Sequence, residues 1–207
     1  MSLRIVLATR NAGKIREIRA ILAGLDVELL DVSSFPPFPE PVEEGDTFLA
    51  NALAKAKAVH RATGEIALAD DSGIEVDALD GAPGVRSARY GGPGLDDAGR
   101  CAKLLEALRG VSEERRGAHF RCVAVLYPAP GTQRKAIATE GFLFGRIAGA
   151  PRGTNGFGYD PVFFVPECGI TIAEMNESEK NSMSHRYRAL IELKYALERE
   201  YGVSAGS

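Results

Sequence analysis

Four groups of residues in this 207-residue chain combine side chains that handle phosphate, metal or a flat ring. The first is Thr9-Arg10-Asn11-Ala12-Gly13-Lys14, which follows the apolar run Ile5-Val6-Leu7-Ala8 and precedes Ile15, Ile18 and Leu22 at helical spacing. A turn of this kind between strand and helix presents free N–H groups and a positive helix end, the parts of a phosphate cradle. It is not a Walker A loop, because Gly-x4-Gly-Lys-Ser/Thr is absent. The plainer alternative is an ordinary cap by Asn11 with Lys14 in solvent. Lys14 and Arg16 nevertheless place cations in the first turn, each opposing the helix dipole by roughly 0.3–1 kcal/mol, and a bound anion would reverse that sign.

The second group is acidic: Glu43 and Glu44 ahead of a helix, Asp70 and Asp71 at the end of a strand. Magnesium takes one or two carboxylates together with substrate phosphates. Neighbouring strand residues face opposite sides, so one of Asp70 and Asp71 is expected to face a given cleft. Asp-Asp-Ser-Gly is equally a good turn, and Glu-Glu-Gly-Asp a good helix entry. Asn51 and Lys55 form the third group, an i, i+4 pair whose lysine reaches either a ligand or solvent.

The fourth is Gly156-Phe157-Gly158-Tyr159-Asp160-Pro161 with Lys180-Asn181 and Ser184-His185-Arg186. Glycines on both sides of Phe157 let backbone approach a flat ligand while the ring stacks on it; alternatively Phe157 and Tyr159 are core side chains at a strand entrance. Lys180, His185 and Arg186 gather at the front of the last helix, again the wrong sign for a terminus without an anion.

The elements that must position these groups interleave. Pro36, Pro37, Pro39 and Pro41 make a rigid loop, and Asp46 or Thr47 caps a second helix running to about Gly64. Ile66 to Ala69 reads as a strand entering a turn at Asp70–Gly73, with Ile74 to Leu79 as its hairpin partner. Asp96 or Asp97 caps a third helix that stops at Gly110. Strands follow at Phe120–Tyr127, Lys135–Ile147 and Val162–Val165, then a last helix from Ser182 or Ser184 to Tyr201. This order predicts an α/β fold with a mixed twisted sheet and flanking helices.

A chain of this length buries roughly 70% of its unfolded surface, so one domain over residues 1–207, with two lobes and a cleft, is expected. Lys plus Arg is 25 against 28 Asp plus Glu, a net charge of -3 that argues against duplex nucleic acid as partner. The three Cys stand far apart, which argues for a reducing compartment, and three His offer little for a zinc site. The N-terminus lacks a signal-peptide pattern and no apolar run approaches the ~20 residues of a membrane span, so a cytoplasmic protein without a membrane partner is expected.

Taken together, Ala8-Thr9-x-Asn11-x-x-Lys14, Ala69-Asp70-Asp71-Ser72-Gly73, Gly81-Ala82-Pro83-Gly84-Val85-x-Ser87-Ala88-Arg89-Tyr90, Gly156-Phe157-Gly158-Tyr159-Asp160-Pro161 and Ser184-His185-Arg186 resemble the inosine triphosphate pyrophosphatase family, also called the Ham1 or RdgB-like family. The resemblance covers nearly the whole chain. It implies a two-lobed fold around a central nucleotide cleft and hydrolysis of ITP, dITP or XTP to monophosphate and pyrophosphate. By the same resemblance Asp71 is the general base, and Asp71 and Glu43, preferred over Glu44, hold Mg2+. Thr9, Asn11 and Lys14, helped by Lys55, would hold the triphosphate, Phe157 would stack on the purine, and Lys180, His185 and Arg186 would meet its edge. Arg10, Gly13, Ser72, Gly158, Tyr159 and Asp160 are implied to bind the substrate as well. A homodimer is also implied. The chain departs from the family pattern at Gly45-Asp46, where Thr-Gly is usual, and at Ala50, where relatives often carry Glu. Three other readings remain open from sequence: a Maf-like pyrophosphatase acting on other bases, a nucleotide sensor without turnover, and a phosphatase releasing orthophosphate.

Overall fold

The computed structural model describes residues 2–39 and 45–204, so the two glutamates of interest, Glu43 and Glu44, lie outside the described residues. In chain order the elements are β1 (Leu3–Leu7), α1 (Ala12–Ile21), β2 (Val27–Asp31), α2 (Phe48–Thr63), β3 (Ile66–Val76), α3 (Asp97–Ala107), β4 (Gly117–Tyr127), β5 (Ile137–Ile147), β6 (Phe163–Val165), β7 (Ile170–Thr171), α4 (Glu177–Met183) and α5 (His185–Tyr201). The strands form one seven-stranded sheet in the order β2-β1-β3-β4-β5-β6-β7. β1 runs parallel to β2 and β3, whereas β6 is antiparallel to β5 and β7, so the sheet is mixed as the interleaved pattern predicts.

Local chemistry accounts for most helix ends. Asn11, Thr47 and Asp96 cap α1, α2 and α3, each side chain accepting a backbone N–H three residues on. Gly64 closes α2 with a left-handed φ of 73°.

The chain divides into two compact units: Met1–Asp71 with Cys122–Gly141 and Arg186–Ser207, and Ser72–Arg121 with Phe142–His185. The first has its core where Ile18 of α1 and Leu22 just past its end, Ile5, Leu7 and Leu68 of the strands, and Leu190, Leu193 and Leu197 of α5 pack together. The second packs Leu104 and Leu108 with Ile74, Phe120, Leu143 and Phe163. Strands β3, β4 and β5 each carry residues of both units.

Two expectations are corrected. Asp70–Gly73 is not a turn: β3 runs unbroken from Ile66 to Val76, and no hairpin starts at Ile74. Asp-Asp-Ser-Gly turns where its carboxylates stay in water, but here both are buried and met by cations, so the strand continues. The last helix runs as expected, as α5, but a short helix that the sequence reading did not include, α4, precedes it, parted from it by extended backbone at Ser184 (ψ 159°). Lys180 therefore belongs to α4 and does not stand at the front of α5. Finally, β2 and β7 escape the sequence reading because β2 alternates weakly and β7 is two residues long.

Candidate active site

In the first unit, the turn from β1 into α1 is held by its own side chains. Asn11 Oδ1 accepts the Lys14 backbone N–H at 3.0 Å, and the Asn11 N–H donates to Thr9 Oγ1 at 3.2 Å. Asn11 thus serves as the cap, while Arg10 and Gly13 lie on the same turn. Lys14 does not sit in solvent: its Nζ is 2.9 Å from Asp70 Oδ2.

Asp70 is the centre of a buried ion network. Arg186 Nε and Nη2 donate to Asp70 Oδ2 at 3.2 and 3.1 Å, and Arg186 Nη1 pairs with Glu17 of α1. Asp70 is 2% exposed and Arg186 1%. Burial by itself would raise the Asp70 pKa, but Lys14, Arg186 and Lys55 outweigh it and hold the carboxyl well below the usual range. Lys14 and Arg186 occupy the first turns of α1 and α5, where the helix dipole disfavours cations. Asp70 is an anion supplied from within the chain that reverses that sign, so the cations at helix starts do not by themselves demand a ligand.

Asp71, one step further along β3, has different partners, as strand alternation predicts. Lys55 Nζ lies 2.7 Å from its Oδ1, and Asn51 Nδ2 donates to its Oδ2 at 3.1 Å. The Asn51 amide is fixed in this sense because its Oδ1 accepts the Gly45 N–H at 2.9 Å. Burial pushes the Asp71 pKa up, and Lys55 and Asn51 pull it back only in part. The two adjacent aspartates are thereby driven in opposite directions. Ser72 follows, half-buried.

In the second unit, Phe157 sits in a tightly tied loop. Its N–H donates to Asp160 Oδ2 at 2.9 Å, and the same oxygen accepts Lys180 Nζ at 2.6 Å. The Lys180 ammonium is 4.4 Å from the centre of the Phe157 ring, a cation–π contact. Gly156 has φ +77°, and a Cβ there would fall 2.0 Å from Asp160 Oδ2, so only glycine fits. Tyr159 is buried and its hydroxyl donates to the Ser87 carbonyl at 2.8 Å, which is the core role open to it from sequence. His185 is also buried, its ring stacked on Phe120 at 4.7 Å and 11°.

Of the residues expected from sequence, the structure brings together Lys14, Lys55, Asp70 and Asp71 in one unit, and Phe157, Gly158, Tyr159, Asp160 and Lys180 in the other. Arg186 is buried, and its guanidinium faces Asp70 and Glu17. Sequence reasoning passed over Glu17 altogether and Asn51 as a partner of Asp71. The available signals were helical offsets, Glu17 three residues after Lys14 and Asn51 four before Lys55. Among the described residues no group of three or more His, Cys, Asp or Glu could hold a metal ion alone.

By fold and site, this is a mixed-sheet α/β protein with a capped strand-to-helix turn beside a cation-bound carboxylate pair. The model of the Ham1 family matches residues 5–196, and the chain belongs to that family. It is 54% identical over 191 residues to a dITP/XTP pyrophosphatase of Geobacter sulfurreducens, covering 92% of this chain and 94% of that one. With a dITP/XTP pyrophosphatase of Geobacillus kaustophilus the identity is 50% over 189 residues, 91% of each chain. Among solved structures, a HAM1 protein from Coxiella burnetii superposes with a TM-score of 0.84 at 42% identity, over 95% of this chain and 99% of that one.

Proposed function

We propose that the protein hydrolyses non-standard purine nucleoside triphosphates, ITP, dITP and XTP, to the monophosphate and pyrophosphate with Mg2+, removing them from the nucleotide pool. The observation that carries this reading is the buried Asp71, tied to Lys55 at 2.7 Å and Asn51 at 3.1 Å, one residue from an Asp70 that already binds Lys14. The names of the relatives at about half identity support the substrate class.

Asp71 is an oxygen donor whose burial leaves its charge under-compensated, which fits a hard dication completed by substrate phosphates. Glu43, outside the described residues, is the proposed second ligand. Bound magnesium supplies positive charge that offsets what builds on the phosphate oxygens. Asp71 orients a water and accepts its proton at the carboxylate. Lys14 and Lys55 would exchange part of their hold on the aspartates for phosphate oxygens, and the N–H groups of Thr9–Gly13 would take others at the start of α1. These fixed charges are the main source of catalysis in such a reaction.

Phe157 is assigned to stack on the purine, with Gly158, Tyr159 and Asp160 shaping its loop and Lys180 and His185 as candidate donors to the edge. Hypoxanthine and xanthine carry an acceptor at position 6, where adenine carries a donor. A site that leaves its own donors unpaired opposite adenine discriminates by up to about 10⁴. Arg186 is assigned to hold Asp70 ionised. We further propose that residues 1–207 act as a single catalytic domain, as a homodimer, in the cytoplasm. No helix among the described residues is long and apolar enough to cross a membrane.

The test is product identification with ITP, XTP, dITP, ATP and dUTP, with and without magnesium. Pyrophosphate from the first three, abolished in Asp71→Asn, is expected. Orthophosphate as the product, equal rates on ATP and ITP, or full turnover by Asp71→Asn would refute the assignment.

A further inference from the structure

Asp96 and Asp97 stand side by side at the start of α3, and either could cap it. Asp96 takes that role, its Oδ1 accepting the Gly99 N–H at 2.8 Å. Asp97 divides its carboxylate: Oδ1 faces Arg100 Nη1 of the same helix at 3.4 Å, while Oδ2 accepts the Gly158 N–H at 2.7 Å, across 61 residues of sequence. One turn further along α3, the Cys101 thiol donates to the Gly158 carbonyl at 3.4 Å. The peptide groups on both sides of the Gly158 Cα are therefore held by one helix, i and i+4 on one face. Gly158 is in a left-handed conformation, φ +64°, which glycine reaches without strain but has no reason of its own to keep. On its other side Phe157 is fixed by the N–H bond to Asp160.

We propose that Asp97, helped by Cys101, is a positioning residue: it locks the Gly158 backbone and thereby fixes how Phe157 is presented to a purine. The inference rests on the stacking role assigned to Phe157 above. A bond from a carboxylate to an N–H is among the stronger hydrogen bonds, and holding a loop in its bound conformation removes an ordering cost from ligand binding. Capping does not account for the aim of Asp97, since Asp96 already supplies it. Attraction of a carboxylate to the helix start acts without any particular partner.

The experiment compares Asp97→Ala, Asp97→Asn, Asp96→Ala and Phe157→Ala in steady-state kinetics on ITP, with thermal melting of each. Asp97→Ala is expected to raise KM for ITP about tenfold, with kcat within about threefold of the parent. Asp97→Asn keeps an acceptor oxygen and is expected to recover most of that loss. Asp96→Ala loses the cap and melts lower, with KM unchanged. A parental KM in Asp97→Ala, where Phe157→Ala raises it, overturns the clamp while leaving the stacking assignment standing. An equal rise in KM for Asp96→Ala and Asp97→Ala overturns it too, because helix stability would then be the cause. A parental KM in Phe157→Ala defeats the stacking role itself. Asp97 is half exposed, 55% at the side chain, so its replacement leaves the core of the unit intact.

Discussion

Replacing Asp70 by Asn keeps the shape of the side chain and removes one charge from the buried network. Lys14, Asp70, Arg186 and Glu17 together carry two positive and two negative charges. Asn at position 70 leaves a surplus positive charge in a place where Arg186 is 1% exposed. Removing one partner of a buried pair costs about 3–5 kcal/mol. The lower figure applies here, since Arg186 keeps Glu17 and the Lys14 side chain, 15% exposed, can turn partly to water. For a chain of this size about 3 kcal/mol corresponds to a fall in Tm of roughly 6–12 °C. Calorimetric or circular-dichroism melting at pH 7 measures it, and Asp70→Asn/Lys14→Met, which restores neutrality, should regain part of the loss. The pH dependence has a definite sign. A carboxyl held below its unfolded value contributes stability above that value and loses it as pH falls, so the gap between parent and Asp70→Asn should narrow from about pH 5 downward. A Tm for Asp70→Asn within 2 °C of the parent at pH 7 (roughly 1 kcal/mol or less on that scale), or a gap unchanged at pH 3, would refute the reasoning.

Three further outcomes are expected. Lys55→Met should lower kcat on ITP by about 10² or more while shifting Tm only slightly, because the buried Asp71 can then neutralise itself with a proton; steady-state rates and melting together check this. Gly156→Ala must place a methyl 2.0 Å from Asp160 Oδ2 at positive φ, so the Asp160 bonds to Phe157 and Lys180 should break and KM for ITP should rise about tenfold; an unchanged KM counts against that loop as the ring site. Burial pushes the Cys101 thiol up to about 11 and Cys122 up to about 12, while Cys168 is exposed, so a disulfide reagent at pH 8 should titrate one thiol rapidly in the native protein and all three after denaturation.

Legibility in the sequence followed the range of the physics involved. Helix α2 was readable at both ends because Thr47 and Gly64 act on residues three or four positions away. The α/β class followed likewise from local periodicity. The continuity of β3 was not readable, because what lets two aspartates stand inside a strand comes from Lys14, Lys55 and Arg186, far away in sequence. The same distance hid the use of Arg186: as text it is a basic residue at a helix start, and only the fold reveals the two carboxylates it serves. Lys14, Lys55, Asp71 and Phe157 could be proposed from sequence because each residue type suits its proposed chemistry wherever its partners lie. Asp97 could not, since its neighbour Asp96 is an equally good cap and nothing local separates them.

The first unit is written in three stretches of the chain and the second in two. No single cut in the gene would release either of them whole. Deleting one uninterrupted block could therefore not remove either unit alone, as it can with beads on a string.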